Sequence, residues 1–306
     1  MDSVKVSVVI PTYKRATRLT EAIDSALNQS YKNIEIIVVD DNDPNTEFRK
    51  KTEELMLKYQ NNEKVRYIKH DKNKNGAAAR NTGIRNARGE YIALLDDDDQ
   101  YFPQKVEKQV DFLNHNVQYA AVYCGRIQNG KTIHGELQGD LSEHILLGTF
   151  TPTTPALMFR KEALIAIDGF NEEFRRHQDY ELLLRFFRKY KIGAIREPLV
   201  EIGINEGENA LHGKALENTK KQYLALFSDD INRIDSVQPG FRRKVYLDTY
   251  RYILFDDLSQ MDFLNAFKYY IKGCQLAFMG FNKKLLSYAC IYIKLQIRRK
   301  RRKTIK

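Results

Sequence analysis

Apolar and polar positions alternate in blocks along the first part of this chain, and each block has a recognisable period. Lys5-Val6-Ser7-Val8-Val9-Ile10 reads as a buried strand ended by Pro11, and Leu19, Ile23, Ala26 and Leu27 share one face of a helix over 18–29. The apolar run 34–39 predicts a second strand, 47–59 a helix and 65–68 a third strand. Asn75-Gly76 opens a helix of small residues over 77–87, followed by a strand at 90–95, a helix from Pro103 and a fifth strand at 119–124. Such alternation predicts an α/β domain with a mainly parallel sheet wrapped by helices on both faces. Beyond residue 125 the alternation weakens. A strand at 156–159, a helical turn at 161–167, an apolar helix following Gln178-Asp179-Tyr180-Glu181 and short strands at 192–195 and 199–202 are expected there. The polar, glycine-containing stretch 206–213 reads as a mobile lid, and helices dominate from about 215 onward.

The predicted strands share one feature: polar residues collect at their C-terminal ends. Thr12-Tyr13, Asp40-Asp41, His70-Asp71 and Asp96-Asp97-Asp98-Asp99 each follow an apolar run. In open α/β sheets ligands bind outside the carboxyl ends of the strands. The Asp run is the sharpest signal. Four adjacent carboxylates repel, and one or more takes up a proton unless a cation neutralises them. Alternate side chains of an extended backbone share a face, so Asp96 and Asp98 can grip one divalent ion with Asp97 left for another role. Hard oxygen donors suit Mn2+ or Mg2+. Taken alone the run reads equally well as a solvated acidic turn; its place directly after a hydrophobic strand favours the metal.

The turn after the first strand narrows the ligand. A dinucleotide fingerprint or a P-loop needs glycines there, and the sequence is Pro11-Thr12-Tyr13-Lys14-Arg15. A diphosphate at such a site must be held by a metal and by side chains. Composition adds limits. The three cysteines show no ligand spacing, which argues against structural zinc and a disulfide framework and fits a reducing compartment. No signal peptide and no apolar run of spanning length is seen, so a cytoplasmic location is expected. The net charge of +10 is uneven: residues 294–306 hold eight Lys/Arg and no acid, leaving +2 for the rest.

Several stretches together resemble the bacterial members of glycosyltransferase family 2. They are Val8-Val9-Ile10-Pro11-Thr12-Tyr13, Ile37-Val38-Val39-Asp40-Asp41, Gly76 with Ala79-Arg80-Asn81, Gly89-Glu90-Tyr91-Ile92, Leu95 with the Asp run, and Gln178-Asp179-Tyr180-Glu181-Leu182, in the family's order over residues 4–215. The resemblance implies a single Rossmann-like domain of the A-type glycosyltransferase fold with a mainly parallel central sheet, followed by a helical C-terminal extension. The expected division is 1–215 for nucleotide-sugar binding and catalysis and 216–306 for a helical region with a basic tail.

Carried over by residue, the resemblance implies that Thr12, Tyr13 and Arg15 border the nucleotide base and ribose and that Asp40, with Asp41, bonds the base. It places Asp96 and Asp98 as outer members of an Asp-x-Asp metal motif, Asp97 near the ribose, and Asp179 as catalytic base. This chain departs from the family in having Asn42-Asp43-Pro44 where Gly-Ser often follows the paired Asp, which makes Asp41 the less secure of the two. Asp179 also suits a helix N-cap, where the macrodipole favours its charged form. Read alone, Arg15 and Arg80 are surface charges more often than phosphate clamps, and His212 is a loop histidine that rarely reaches a metal.

The implied reaction is metal-dependent, inverting transfer of a sugar from a nucleoside diphosphate, UDP by resemblance, to a hydroxyl of a glycan or lipid-linked saccharide acceptor in cell-surface polysaccharide synthesis. The sequence leaves the hexose, acceptor, linkage and oligomeric state open. The basic tail suggests peripheral attachment to an anionic membrane at the inner face of the cell membrane. The alternative is a metal-dependent nuclease or a nucleic-acid binder using that tail. No recognition motif supports it, and no nucleic-acid partner is expected.

Overall fold

A computed structural model describes residues 5–174, 176–203 and 211–303, and from 286 onward the course of the backbone alone. The chain forms two compact units, Met1–Glu206 and Gly207–Lys306. The boundary lies a few residues before the one expected from the sequence.

The first unit is built on β1 (Val6–Thr12), β2 (Ile34–Asp40), β3 (Val65–Lys69) and β4 (Tyr91–Leu94), all mutually parallel, in the order β3-β2-β1-β4. β2 and β4 are buried along their whole length, and β1 nearly so. That is why they read as unbroken apolar runs: a strand covered by helices on both faces has no solvated side to alternate with. Helices α1 (Ala16–Leu27), α2 (Glu47–Met56) and α3 (Gly76–Asn86) are the crossovers.

The second half of the sheet mixes directions. A two-residue strand β5 (Gln100–Tyr101) follows the Asp run, then α4 (Lys105–His115), β6 (Ala121–Gln128) and β7 (Lys131–Ile133). Next come α5 (Ser142–Leu146), β8 (Leu157–Arg160), α6 (Lys161–Ile165), α7 (Gln178–Phe187) and β9 (Ile192–Ile202). β8 lies antiparallel between β4 and β6, β6 is parallel to β9, and β5 closes the far edge against β9. β6 and β9 run with the first four strands, and β5, β7 and β8 run against them. The sheet is mostly parallel, as expected.

Two strands differ from the sequence reading. β1 does not end at Pro11 but runs to Thr12, with Pro11 opposite Val39. The carbonyl of Val9 accepts from Leu95 N on the β4 side at 3.1 Å. Strand residues two apart face the same neighbour, so the donor that Pro11 lacks also faces β4, and β4 has ended at Leu94. The missing N–H therefore costs no ladder bond. The two short strands expected at 192–195 and 199–202 are one strand, β9. The register jumps from Cys124 opposite Ile195 to Gly125 opposite Pro198, leaving Arg196 and Glu197 as a bulge. A side chain at Gly125 would lie 2.7 Å from Arg196 O and 2.8 Å from Glu197 O, so glycine is what lets the bulge pack.

The second unit contains α8 (Gly213–Leu226), α9 (Ser228–Val237), α10 (Phe241–Ser259) and α11 (Phe263–Lys303), with a core of Leu247, Ile253, Leu254, Tyr269 and Phe281. α11 bends at Ala277, where the backbone leaves helical geometry. Among the described residues no helix is long and apolar enough to cross a membrane.

α7 is held by aromatic packing: Phe186 is fully buried and meets Phe159 of β8 edge-on with centroids 5.5 Å apart. Phe186→Ala is expected to cost ~3–5 kcal/mol in a urea unfolding titration, the range for deleting a buried ring. A loss below ~1 kcal/mol would mean that this contact does not anchor α7.

Candidate active site

Register brings the expected residues together at one end of the sheet. Thr12 pairs with Asp40 across β1 and β2, and Asp40 with Lys69 across β2 and β3. The Asp run leaves β4 on the other side of β1.

The Asp run is largely buried. Asp97, Asp98 and Asp99 are buried and Asp96 is half-buried. Asp97 is tied to the end of β1, where its Oδ2 accepts from Thr12 Oγ1 at 2.8 Å and Tyr13 N at 3.4 Å. Arg15 donates to Asp98 and lies 3.6 Å from Asp97. Asp99 Oδ1 accepts from Gly203 N at 2.7 Å. Asp96 Oδ1 accepts from Arg80 Nη2 at 2.5 Å.

Burial and mutual repulsion outweigh these donors at two positions. Asp97 is pushed up to about 7, mainly by desolvation and further by Asp98 and Asp96, against the pull of Arg15 and Thr12. Asp99 is pushed up to about 8, again mainly by desolvation and then by Asp96. The cluster thus holds more negative charge than its own cations balance. Its donors are hard oxygens only, and the protein supplies two guanidinium groups to them, which fits a divalent cation of the Mn2+ or Mg2+ kind. Among the described residues no three His, Cys, Asp or Glu side chains converge as a full protein cage. Ions of this class commonly bind through one or two carboxylates and complete their shell with water and phosphate.

Arg80 is the residue whose part the sequence understated. It projects from α3, a helix whose first turn is made of small residues, and its side chain is 12% exposed rather than out in solvent. Besides Asp96 it donates to Gln178 Oε1 at 3.0 Å and lies over the Phe170 ring at 5.5 Å. Its buried Nε has no partner among the described residues. The only hint in the sequence is a lone cation within Ala77-Ala78-Ala79-Arg80-Asn81. Asn81, beside it, clamps the 170–172 turn: its Nδ2 donates to Phe170 O at 2.8 Å, and its Oδ1 accepts from Phe170 N at 2.8 Å.

Asp179 stands in the first turn of α7 rather than at the N-cap suggested by the sequence, a position that His177 takes, and its Oδ1 accepts from Tyr180 N at 3.0 Å. The helix terminus does not win, however. The residue keeps some exposed surface, but protein surrounds its carboxyl, and this desolvation pushes its pKa up to about 6. Backbone donors and Arg80 pull it down, and Asp96 raises it further. Asp179 and the Asp run therefore share one electrostatic field, joined through Arg80.

Asp40 and Asp41 arrive at the end of β2 with their oxygens engaged. Asp40 is wholly buried and accepts from Tyr67 Oη at 2.5 Å and Asn42 N at 2.9 Å, with Arg49 Nε at 3.1 Å. Asp41 meets His70 Nδ1 at 2.7 Å and accepts from Lys74 N at 2.8 Å and Asn75 N at 2.9 Å. These bonds organise the β2 and β3 ends into a fixed wall. Thr12 is buried with its hydroxyl spent on Asp97, whereas the Tyr13 ring is exposed beside Lys14 Nζ at 4.8 Å. Most of the expected lid, 206–210 of 206–213, lies outside the described residues, as does the side-chain placement of the basic tail. His212 is described. Its Nδ1 meets Asp256 Oδ1 at 2.6 Å, and Asp256 also accepts from Gly213 N at the start of α8, so His212 is held at that helix start within the second unit.

A mostly parallel sheet continued by antiparallel strands, a glycine-free first turn and an acidic run at the central strand tip define an A-type glycosyltransferase domain. The chain belongs to glycosyltransferase family 2, whose family model matches residues 7–191, and it is a glycosyltransferase enzyme. An uncharacterised glycosyltransferase of Rickettsia typhi is 30% identical over 304 residues, 94% of this chain and 88% of its own. One of Methanocaldococcus jannaschii is 32% identical over 242 residues, 73% of this chain and 77% of its own. The crystal structure of residues 1–349 of TarS from S. aureus, in complex with UDP-GlcNAc, shares the fold. Its TM-score is 0.59 and its identity 17%, over 82% of this chain and 80% of that one. The chain spans 40% of a longer TarS structure. Family membership sets aside the nuclease reading.

The raised carboxyls make a pH prediction. Asp97 and Asp99 bind protons in the folded state that the unfolded chain, with Asp near 3.8, has already released. Folding stability from these groups is full below that value and is lost as pH rises through about 7 and 8. In melting curves from pH 4 to 9 without divalent ions, the Asp97→Asn/Asp99→Asn variant should lose less stability on the alkaline side than the wild type. Parallel curves would contradict the raised values.

Proposed function

We propose that the protein transfers a sugar from a UDP-sugar to an acceptor hydroxyl with inversion, using Asp179 as general base and Asp96 and Asp98 as metal ligands. The observation that carries this reading is the Arg80 bridge. One guanidinium touches both Asp96, on the donor side, and Gln178, the residue before the base. Donor carboxylates and base are thereby held in one network, as a direct displacement requires.

Asp179 accepts the proton of the acceptor hydroxyl as its oxygen attacks the anomeric carbon, and the nucleoside diphosphate departs from the opposite face. A pKa of about 6 leaves the carboxylate ionised at neutral pH yet more basic than an ordinary Asp, the poise a general base needs. Asp96 and Asp98 would hold Mn2+ or Mg2+, which when bound would supply Lewis-acid neutralisation of the leaving diphosphate. Arg15, already paired with Asp98, is within reach to add positive charge there. The exposed Tyr13 ring offers a face to the base, Asp97 stands nearest the ribose, and Thr12 holds Asp97 in place. Asp40 and Asp41 set the wall against which the base lies. The UDP donor is supported by the structural relative bound to UDP-GlcNAc. The acceptor, a hydroxyl of a glycan or lipid-linked saccharide in cell-surface polysaccharide synthesis, rests on the family resemblance. We assign nucleotide-sugar binding and catalysis to residues 1–215.

Asp179→Asn should lower transfer by about 10²–10⁴-fold while leaving Mn2+-dependent thermal stabilisation by UDP intact. Near-wild-type transfer would remove the base assignment. In the wild type, the acid limb of the pH–rate profile should fall through about pH 6. Arg80→Met removes a cation that lowers the Asp179 pKa, so its acid limb should move upward; an unmoved limb would show that Arg80 does not act on the base. Asp98→Asn should abolish the Mn2+-dependent part of the UDP stabilisation, and retention of it would sink the metal assignment.

A further inference from the structure

The second unit carries a surface that the sugar-transfer reading leaves unexplained. Along the first leg of α11 a row of large apolar side chains points into solvent: Phe263 is 65% exposed, Leu264 88% and Phe267 63%. Phe263 and Phe267, at i and i+4, share one helical face, and Leu264 stands beside them around the helix. Past the bend at Ala277, Phe278 is 62% and Met279 82% exposed. A groove of about 560 Å³ between α10 and α11, lined by Leu254, Leu258, Phe263, Phe267 and Tyr270 among others, adjoins this row. Exposed apolar groups of this size and continuity mark a docking surface rather than ordinary surface scatter.

Charge identifies the occupant. Residues 261–306 hold twelve Lys/Arg and a single acid, Asp262, so this stretch carries +11 and the preceding 260 residues carry −1. The cations start within the apolar row itself: Lys268 and Lys272 lie over the rings of Tyr269 and Tyr250, their stems along aromatic surface. A partner for this face must be apolar inside and anionic at its rim. A partner with acidic surface alone would meet the cations but leave Leu264 and Met279 wet. A nucleic acid would do the same. A bilayer of anionic lipid satisfies both.

We propose that the α10–α11 face, with Phe263, Leu264 and Phe267 as its inserted side chains, lies in the interface of an anionic membrane, and that basic residues of α11 hold it at the headgroups. The mode is a helix lying in the surface, in keeping with the absence of any spanning helix among the described residues. The basic end alone, the only feature legible in the sequence, would give a salt-sensitive attraction; the apolar row adds insertion that salt does not screen.

Vesicle co-sedimentation of the full chain tests this, with phosphatidylglycerol–phosphatidylcholine and pure phosphatidylcholine vesicles. The wild type should bind the anionic vesicles and retain part of that binding at high salt. Leu264→Glu/Phe267→Glu alters only exposed side chains, so its melting curve and its UDP stabilisation should match the wild type. Its partition onto anionic vesicles should fall by about tenfold or more. Deleting 294–306 should weaken binding yet leave a salt-resistant remainder. Unchanged partition of the double variant would overturn the proposal, and so would wild-type binding that vanishes fully at high salt. A wild-type dimer that the double variant renders monomeric, with no vesicle binding by either, would also overturn it and assign the face to a second copy of the chain. The readout is binding, so it stands or falls apart from the identity of donor and acceptor.

Discussion

Four carboxylates in a row at the end of a buried strand are the constraint around which the first unit is arranged. At ordinary separations in a protein interior, repulsion between such groups is worth several kcal/mol. The chain relieves it by bringing a different donor to each. Thr12 comes from β1, Arg15 from the turn beyond it, Arg80 from α3 and Gly203 from the end of β9. These donors come from elements far apart in sequence, so the acidic run also serves as a hub that ties the two halves of the sheet together. Even so the compensation is incomplete, and protons remain on Asp97 and Asp99 to higher pH than on a free side chain. A site that is short of positive charge in its empty state is prepared for a ligand that brings some.

The same shortage reaches the proposed base. Asp179 sits on another element, yet its affinity for a proton is set partly by Asp96 and Arg80. Arg80 therefore acts as a positioning residue with an electrostatic side effect: it orients Gln178 at the start of α7 and moderates the basicity of the neighbouring carboxyl. The packing of Phe186 under α7 and the clamp of Asn81 on the 170–172 turn give that arrangement its stiffness. Asp40 and Asp41 play the corresponding part on the opposite side. Their bonds to Tyr67, His70 and the backbone N–H groups of Lys74 and Asn75 fix the β2 and β3 ends rather than leaving carboxylates loose.

Much of this was legible in the sequence because buried parallel strands announce themselves as unbroken apolar runs, and because the Asp run and Gln178-Asp179 follow such runs or open an apolar helix. What was hidden depends on distance through space. Pro11 looked like a strand end because the residues alone do not say that β4 stops short of it. Arg196 and Glu197 looked like a break because a bulge opposite Gly125 cannot be told from a turn. Arg80 looked like a surface charge because only the fold puts Asp96 and Gln178 beside it. The helix-start position of Asp179 was visible, but its surroundings were not, and their desolvation reverses the shift that the helix terminus alone would give. On α11 the basic residues could be counted, while the exposure of the apolar row between them could not.

Pro11 has a wider consequence than its own hydrogen bond. Since it offers no donor on the β4 side, the backbone ladder between the two strands has nothing to gain past Leu94. Beyond that point the acidic run and Thr12 to Arg15 are joined through side chains, Asp97 to Thr12 and Asp98 to Arg15. An imino acid in a central strand thus hands the seam over from backbone to side chains, without costing the sheet a rung.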